Sequence, residues 1–205
     1  MRAGFLLNKI HHFDIIGSTN DVARSLIAVG CNSGEVVISD VQTDGRGRKG
    51  DRWESPFGGL WFSVILFPYN LLVSKMSIFS IANALAISKG IEEKTGLIPL
   101  IKFPNDLYIN DKKLCGILIE SSSSLSYINW VIVGVGINVN VDIKDLPNCA
   151  TSIKNELKKE VDKEGIFFSV LGQMEMLYLT LDKLDSFIPE IKERAIEISE
   201  NALVY

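Results

Sequence analysis

The segment DGRGRKGDRW, residues 44–53, combines glycines with clustered positive charge. It holds four basic and two acidic residues, whereas the whole chain of 205 residues has a net charge of −4. Glycine lets backbone N–H groups approach an anion closely, and the forked guanidinium of arginine matches the oxygens of phosphate or carboxylate. The pattern favours an anion-binding loop over a solvated, flexible arginine–glycine loop. Trp53, at the end of the segment, could stack on a purine base.

A second segment, KFPND, residues 102–106, carries polar side chains at a predicted strand end. Asn105 could pair with an adenine edge, and Asp106 could hold a magnesium ion directly or through water. Lys113 follows in the next strand, so Lys102 and Lys113 could face one phosphate. An ordinary solvated turn explains the same residues equally well, because Asn, Asp and Pro are turn formers.

A third segment, VGVGINVN, residues 133–140, places two glycines and two asparagines in an apolar strand. Gly134 and Gly136 weaken a strand, so a ligand lying flat against it could need the room. A bulge or close packing of the strand against a helix is an equally good explanation. Asn138 and Asn140 require hydrogen-bond partners in a run that is otherwise buried.

The elements that must position these segments follow from hydrophobic periodicity and turn signals. Strands are predicted at 13–16, 36–41, 60–67, 100–103, 107–109, 114–121 and 129–140. Helices are predicted from the caps at 18–20 to Gly30, and at 76–93, 152–159, 165–184 and 189–199. A long loop is predicted at 42–58 and a polar turn at the four serines 121–124. The pattern indicates one α+β domain, a mixed β-sheet with helices packed on it.

Composition excludes several classes of protein. A hydrophobic fraction of 47% and a charged fraction of 22% exclude a disordered chain. The negative net charge disfavours a generic nucleic-acid binder. No apolar run approaches the roughly 18 residues that span a bilayer, and the N-terminus lacks the pattern of a signal peptide. Three widely spaced cysteines without a CxxC pair fit a reduced, cytoplasmic protein and disfavour zinc, so Cys115 is expected to be a buried filler.

Together with the triplet STN at 18–20, the three segments resemble the biotin–protein ligase (holocarboxylase synthetase) family. The motifs STN, QTDGRGRKGDRWESPFGG, KFPNDLYINDKKLCGILIE and GVGINVN stand in this order within residues 13–151. The resemblance implies the class II aminoacyl-tRNA synthetase/biotin synthetase-like fold, with a single catalytic domain over residues 1–205. Lipoate–protein ligases look related in fold, but their Arg-Arg-x-Ser-Gly-Gly-Gly segment is absent from this sequence.

The resemblance implies a two-step ligation that uses biotin, ATP and Mg²⁺. The carboxylate of biotin attacks the α-phosphate of MgATP and gives biotinyl-AMP and pyrophosphate. A lysine of the biotin carboxyl carrier protein or domain of a carboxylase then displaces AMP. Clustered Arg and Lys would lower the like-charge barrier of the first step. The alternatives are a lipoate or octanoate ligase, a non-catalytic biotin or adenylate binder, and an arginine–glycine RNA binder.

By family position, the resemblance implies a role for each candidate residue. Lys113 is expected to be the principal catalytic cation, supported by Arg48 and Lys102, with Asp106 near a possible magnesium ion. The implied biotin-binding residues are Ser18, Thr19, Asn20, Gln42, Gly45, Arg46, Arg48, Gly116, Gly134 and Gly136. The implied ATP- and adenylate-binding residues are Arg46, Arg48, Trp53, Asn105, Lys113 and Asn138. The loop 44–53 is expected to be mobile when empty and to close over the intermediate.

Three departures from the family pattern qualify these expectations. Phe103 replaces the usual Trp, which should have a mild effect, and Asp51 stands where a basic residue is common, which should weaken retention of the adenylate. The usual small C-terminal β domain is expected to be absent, so a separate polypeptide could supply it. No N-terminal DNA-binding domain and no nucleic-acid or membrane partner are expected. A homodimer stays an open alternative.

Overall fold

A computed structural model describes residues 9–196, which form one seven-stranded sheet with helices on both faces. The strands are β1 (Ile10–Ile16), β2 (Val36–Gln42), β3 (Leu60–Leu66), β4 (Leu100–Lys102), β5 (Asp106–Ile109), β6 (Lys112–Ser124) and β7 (Tyr127–Ile137). The α-helices are α1 (Thr19–Ala28), α2 (Met76–Thr95), α3 (Ile153–Leu157), α4 (Lys163–Tyr178) and α5 (Ile188–Arg194). Their arrangement confirms the α+β prediction.

The strand order places the predicted motifs next to one another. The sheet runs β1-β2-β3-β7-β6-β5-β4, and among the described strands only β1 and β2 pair in parallel. Strand β3, which lies between β2 and β7, is buried along its whole length because both of its faces are covered. Helix α1 packs on one face through Ala23, against Ile65 and Ile132, and α2 and α4 cover the other face. None of the helices between residues 9 and 196 has both the length and the apolar character needed to cross a bilayer.

Several element boundaries differ from those predicted. The four serines 121–124 continue β6 instead of forming a turn, because they pair with β7 from Val131 back to Tyr127. The turn falls at Leu125, whose φ is 55°. The helix predicted at 165–184 ends at Tyr178, and a 3-10 segment, Leu181–Phe187, follows it. Strand β1 begins at residue 10. The helix predicted at 189–199 is present as α5, and its part beyond residue 196 lies outside the described residues.

Helices α2 and α4 are in close contact at Gly90. A Cβ atom at this position would lie 2.5 Å from Val170 Cα and 2.8 Å from Val170 N. Since backbone atoms cannot yield as a side chain can, we expect Gly90→Ala to lower the free energy of unfolding by about 1–3 kcal/mol, the usual cost of overpacking a core. The matched control is Gly172→Ala in α4, where a Cβ would meet nothing within 4 Å. It should be neutral or stabilise by up to about 1 kcal/mol. Urea unfolding measures both, and equal midpoints would contradict this packing.

Candidate active site

The structure brings most of the predicted residues around one cavity of about 360 Å³. The cavity lies between the start of α1, the segment after β2, and the neighbouring strands β5, β6 and β7. Of the predicted residues, its lining includes Ser18, Thr19, Asn20, Gln42, Arg46, Arg48, Trp53, Asn105, Asp106, Lys113, Gly116, Gly134 and Gly136. The two departures from the family pattern, Asp51 and Phe103, line it as well. Four motifs far apart in sequence therefore form one site.

One end of the cavity is polar and uncharged. Helix α1 begins at Thr19, whose backbone N–H and hydroxyl donate to Gln42 Oε1 at 2.8 and 3.1 Å. The amide nitrogen of Gln42 donates to Ser55 Oγ at 2.8 Å. These bonds hold the Gln42 amide in one orientation, with its oxygen towards α1 and its nitrogen towards the glycine–arginine segment.

Two residues that sequence reasoning did not assign to the site, Ser63 and Glu120, lie outside the cavity lining and hydrogen-bond to the residues of this polar end. Ser63 Oγ, in the otherwise apolar strand β3, lies 2.6 Å from Asn20 Oδ1 and 2.7 Å from Thr19 Oγ1. Asn20 Nδ2 donates to Glu120 Oε2 of β6 at 3.1 Å. A lone hydroxyl within an apolar strand was the available signal for Ser63, because a buried polar group needs a partner. The partner itself lies 43 residues away and could not be named from sequence.

The predicted long loop is a short backbone ladder. Gln42 and Ser55 form an antiparallel bridge, and the N–H of Trp53 donates to the carbonyl of Gly45 at 2.9 Å. A further bond, from the N–H of Gly47 to the carbonyl of Asp51, is 2.7 Å long. A 3-10 turn, Arg48–Gly50, forms the tip. Gly45 lies outside the cavity lining and permits the ladder, since a Cβ there would lie 2.7 Å from Ser55 Oγ and still closer to the carbonyl oxygen of Trp53.

The glycines of β6 and β7 leave space that the side chains of Trp53 and Asn20 occupy. Cβ atoms at Gly116 and Gly136 would lie 2.9 and 2.5 Å from the indole of Trp53, and one at Gly134 would collide with the amide of Asn20. The Trp53 ring therefore rests on a floor of two glycines. Its Nε1 is buried and has no hydrogen-bond partner within residues 9–196. Stacking of Trp53 on a purine stays a prediction.

Two cationic side chains, Arg48 and Lys113, lie at the other end of the cavity, and Lys113 is paired with Asp106. Lys113 Nζ lies 2.7 Å from Asp106 Oδ2 and 5.1 Å from the centroid of the Trp53 ring. The backbone of Lys113 is held by β5 and by bonds to residues 149 and 151. Arg48 Nη1 donates to the neutral Asn105 Oδ1 at 3.2 Å, and Arg48 forms no ion pair within the described part of the chain. The Arg48 charge is therefore available to an anion.

Arg46 differs from Arg48 in its partner. Its guanidinium donates two bonds to the Asp21 carboxylate, of 2.8 and 2.5 Å. The hydrogen bonds from Arg46 hold the pKa of Asp21 below its ordinary value. Asp21 is the third residue of α1, where a carboxylate is also favoured by the helix dipole. The charge of Arg46 is thus largely compensated within the protein.

Besides Gly45, two candidate site residues lie outside the cavity lining. Lys102 and Asn138 do not line the cavity. Lys102 Nζ lies 4.7 Å from the ring centroid of Tyr108. Asn138 is 2% exposed and donates from Nδ2 to the carbonyl of Thr151. Direct ligand contacts of Lys102 and Asn138 stay predictions. Cys115 is fully buried in the core, and burial raises the pKa of its thiol, which agrees with the expected filler role.

The residues around Asp106 do not form a cage for a resident metal ion. No group of three or more His, Cys, Asp or Glu side chains within residues 9–196 could hold one. The Asp106 carboxylate is paired with Lys113. Magnesium is often held by one or two carboxylates together with substrate phosphates. A magnesium ion held by Asp106 together with the phosphates of a nucleotide stays a prediction.

Comparisons with known proteins point to one family. A model of the biotin/lipoate A/B protein ligase family matches residues 13–138. The bifunctional ligase/repressor BirA of Bacillus subtilis is 37% identical over 174 residues, which cover 82% of this chain and 53% of that protein. The biotin–[acetyl-CoA-carboxylase] ligase of Paracoccus denitrificans is 36% identical over 124 residues, which cover 60% of this chain and 51% of that protein. The chain spans about half the length of these relatives.

A solved structure agrees with the sequence comparisons. The biotin protein ligase from Aquifex aeolicus, in complex with biotin and ATP, is 28% identical and superposes with a TM-score of 0.78. The match covers 92% of this chain and 79% of that chain. The resemblance that the four motifs indicated is therefore confirmed, and the chain belongs to the biotin/lipoate A/B protein ligase family.

Proposed function

We propose that this chain is the catalytic part of a biotin–protein ligase, which converts biotin and ATP into biotinyl-AMP and transfers the biotinyl group to a carrier protein. The observation that carries the proposal is the polarity of the cavity. Its uncharged end, at Thr19 and Gln42, suits the neutral ureido ring of biotin. Its cationic end, at Arg48 and Lys113, suits a carboxylate and a phosphate. The Aquifex aeolicus relative was solved with biotin and ATP bound.

The first step brings two anions together, and the residues of the cationic end lower its barrier. Arg48, whose guanidinium is bound only to a neutral amide, would lie against the oxygens of the carboxylate and the α-phosphate. Lys113 would stabilise the charge that develops on the α-phosphate as pyrophosphate leaves. Trp53 and the glycine floor would keep water from the mixed anhydride. MgATP is the substrate, and Asp106 would lie near its magnesium ion.

The second step consumes the adenylate. The amine of a lysine attacks the biotinyl carbonyl carbon, the bond to the AMP oxygen breaks, and an amide forms. A free lysine has a pKa of about 10.4, so the acceptor must lose its proton in the complex. We propose a biotin carboxyl carrier protein or domain as the acceptor, in line with the name of the Paracoccus denitrificans relative, a ligase that acts on acetyl-CoA carboxylase.

The test is direct detection of the adenylate. The protein is incubated with ATP and Mg²⁺ and with biotin, lipoate or octanoate, and the acyl-AMP is weighed by mass spectrometry while pyrophosphate is measured. Biotinyl-AMP with matching pyrophosphate is the expected result. Biotin binding without pyrophosphate would identify a non-catalytic binder, and lipoyl- or octanoyl-AMP alone would overturn the choice of acid. Transfer of labelled biotin to a carrier domain then tests the second step.

A further inference from the structure

A forked ion pair attaches the arginine-bearing arm of the glycine–arginine ladder to α1, in addition to the bonds between Thr19 and Gln42 at the base of the ladder. Arg46, on the first arm of the ladder, donates from both terminal nitrogens to the two oxygens of Asp21. The side chain of Arg46 is 29% exposed and that of Asp21 is 45% exposed. Two parallel bonds fix the orientation of the guanidinium as well as its distance. Lysine, with one point charge, could not fix the orientation in this way.

The partner of Arg46 is itself tied to the polar end of the cavity. Asp21 Oδ1 lies 3.8 Å from Arg24 Nη1, and Arg24 Nη2 lies 2.7 Å from Glu120 Oε1. The other oxygen of Glu120 accepts the amide of Asn20, which lines the cavity. A continuous set of polar contacts therefore runs from the ladder to the residues around the uncharged end. A displacement of Arg46 would therefore change the contacts that position Asn20.

We propose that Asp21 is a positioning residue, which fixes the glycine–arginine ladder against α1 through Arg46 and so sets how long the acyl-adenylate is retained. The second half of this proposal rests on the proposed function. Asp21 does not line the cavity, so it acts through Arg46 rather than on the ligand. Two arginines of the ladder thus have different roles. Arg46 attaches the ladder to α1, and Arg48 provides the cation that contacts the anion.

The chain offers a matched control for the charge of Asp21. Asp44 also lies beside Arg46, with Oδ2 3.6 Å from Nη1, but its side chain is 78% exposed and it makes no fork. It does not line the cavity. Asp21→Asn and Asp44→Asn each remove one negative charge next to the same guanidinium. If the two hydrogen bonds of Asp21, and not a nearby negative charge alone, position Arg46, the two variants must differ in their effect on the ladder.

The first measurement needs no enzymatic activity. Arg48, Lys49 and Arg52 are exposed trypsin sites in the ladder, and a difference in their cleavage rate between variants reports a difference in how often the ladder opens. We expect Asp21→Asn to raise this rate by about tenfold, which corresponds to ~1.4 kcal/mol. Asp44→Asn should change it by less than about twofold, as is usual for an exposed charge. Arg46→Lys should behave like Asp21→Asn, and the double variant Asp21→Asn/Arg46→Lys should be no faster than either, because one contact is lost in all three.

The second measurement follows the adenylate. Release of pre-formed acyl-AMP should be about tenfold faster from Asp21→Asn than from the parent or from Asp44→Asn, while the thermal midpoint and cleavage elsewhere in the chain stay unchanged. Cleavage of Asp21→Asn at the parental rate, or an equal effect of Asp44→Asn, would overturn the tether. Faster cleavage with unchanged release would overturn the retention role. If the parent forms no adenylate, only the proposed function is overturned, because the proteolysis experiment tests the contact between Asp21 and Arg46 independently.

Discussion

Replacing Lys113 by alanine should lower the rate of adenylate formation by about 100-fold or more, the usual effect of removing one group that stabilises developing charge. Biotin affinity should change by less than about threefold, because the uncharged end of the cavity is untouched. Lys113 Nζ lies beside Asp106 and the Trp53 ring, at the cationic end, and its backbone is held on both sides. The rate is measured as pyrophosphate release and the affinity by calorimetry.

The preceding residue provides the control for Lys113. Lys112 is exposed and does not line the cavity, although it belongs to the same strand. Lys112→Ala should therefore keep the parental rate. Because Lys113→Ala leaves the carboxylate of Asp106 without its partner, the thermal midpoint of the variant has to be measured alongside. A parental rate for Lys113→Ala, or an equal loss for Lys112→Ala, would remove Lys113 from the proposed mechanism.

Gly136→Ala should weaken binding of the acyl-adenylate by about tenfold or more and lower stability by about 1–3 kcal/mol, the range for overpacking. The new methyl group would lie 2.5 Å from Trp53 Nε1 and 2.8 Å from its Cε2, so the indole must leave the glycine floor. Gly136 pairs with both β3 and β6, which prevents the strand from moving instead. Urea unfolding and ligand titration measure the two effects.

A second substitution separates the clash from a general effect on the strand. In Gly136→Ala/Trp53→Phe the smaller ring lacks the atoms nearest to the methyl group, so we expect the double variant to regain part of the lost stability. Trp53→Phe alone should lose ligand affinity without that gain. Additive losses in the double variant would show that the indole is not what limits position 136.

The sequence was sufficient to predict residues that line one cavity wherever the information lies in contiguous motifs. Glycines next to arginines, and asparagine and aspartate at a strand end, indicate chemistry locally, and these residues do line one cavity. The positions of the buried strands were equally predictable, because β7 is apolar throughout its buried part and β3 is apolar apart from Ser63. The serines 121–124 were misassigned because their strand conformation depends on pairing with β7 and not on their own propensity.

Side-chain contacts between residues far apart in sequence could not be predicted. Asp21 and Arg46 are 25 residues apart, and Asn20 and Glu120 are 100 apart. Each is a common surface residue type, so only the fold shows that they meet. The same holds for Gly136. A ligand was expected to use the space beside this glycine, and the indole of Trp53 occupies that space. Local sequence indicates which groups can act, and tertiary contacts decide which ones are already engaged.

The ladder between residues 42 and 55 also affects the entropy of ligand binding. Backbone bonds between Gln42 and Ser55, and between Gly45 and Trp53, already join its two arms. A closing movement then has to order only the tip, Arg48–Gly50. At about 1–2 kcal/mol per residue, three residues cost roughly 3–6 kcal/mol, whereas a free loop over the whole segment would cost several times more. The arms, which the fork between Arg46 and Asp21 holds against α1, therefore need little further ordering when a ligand binds.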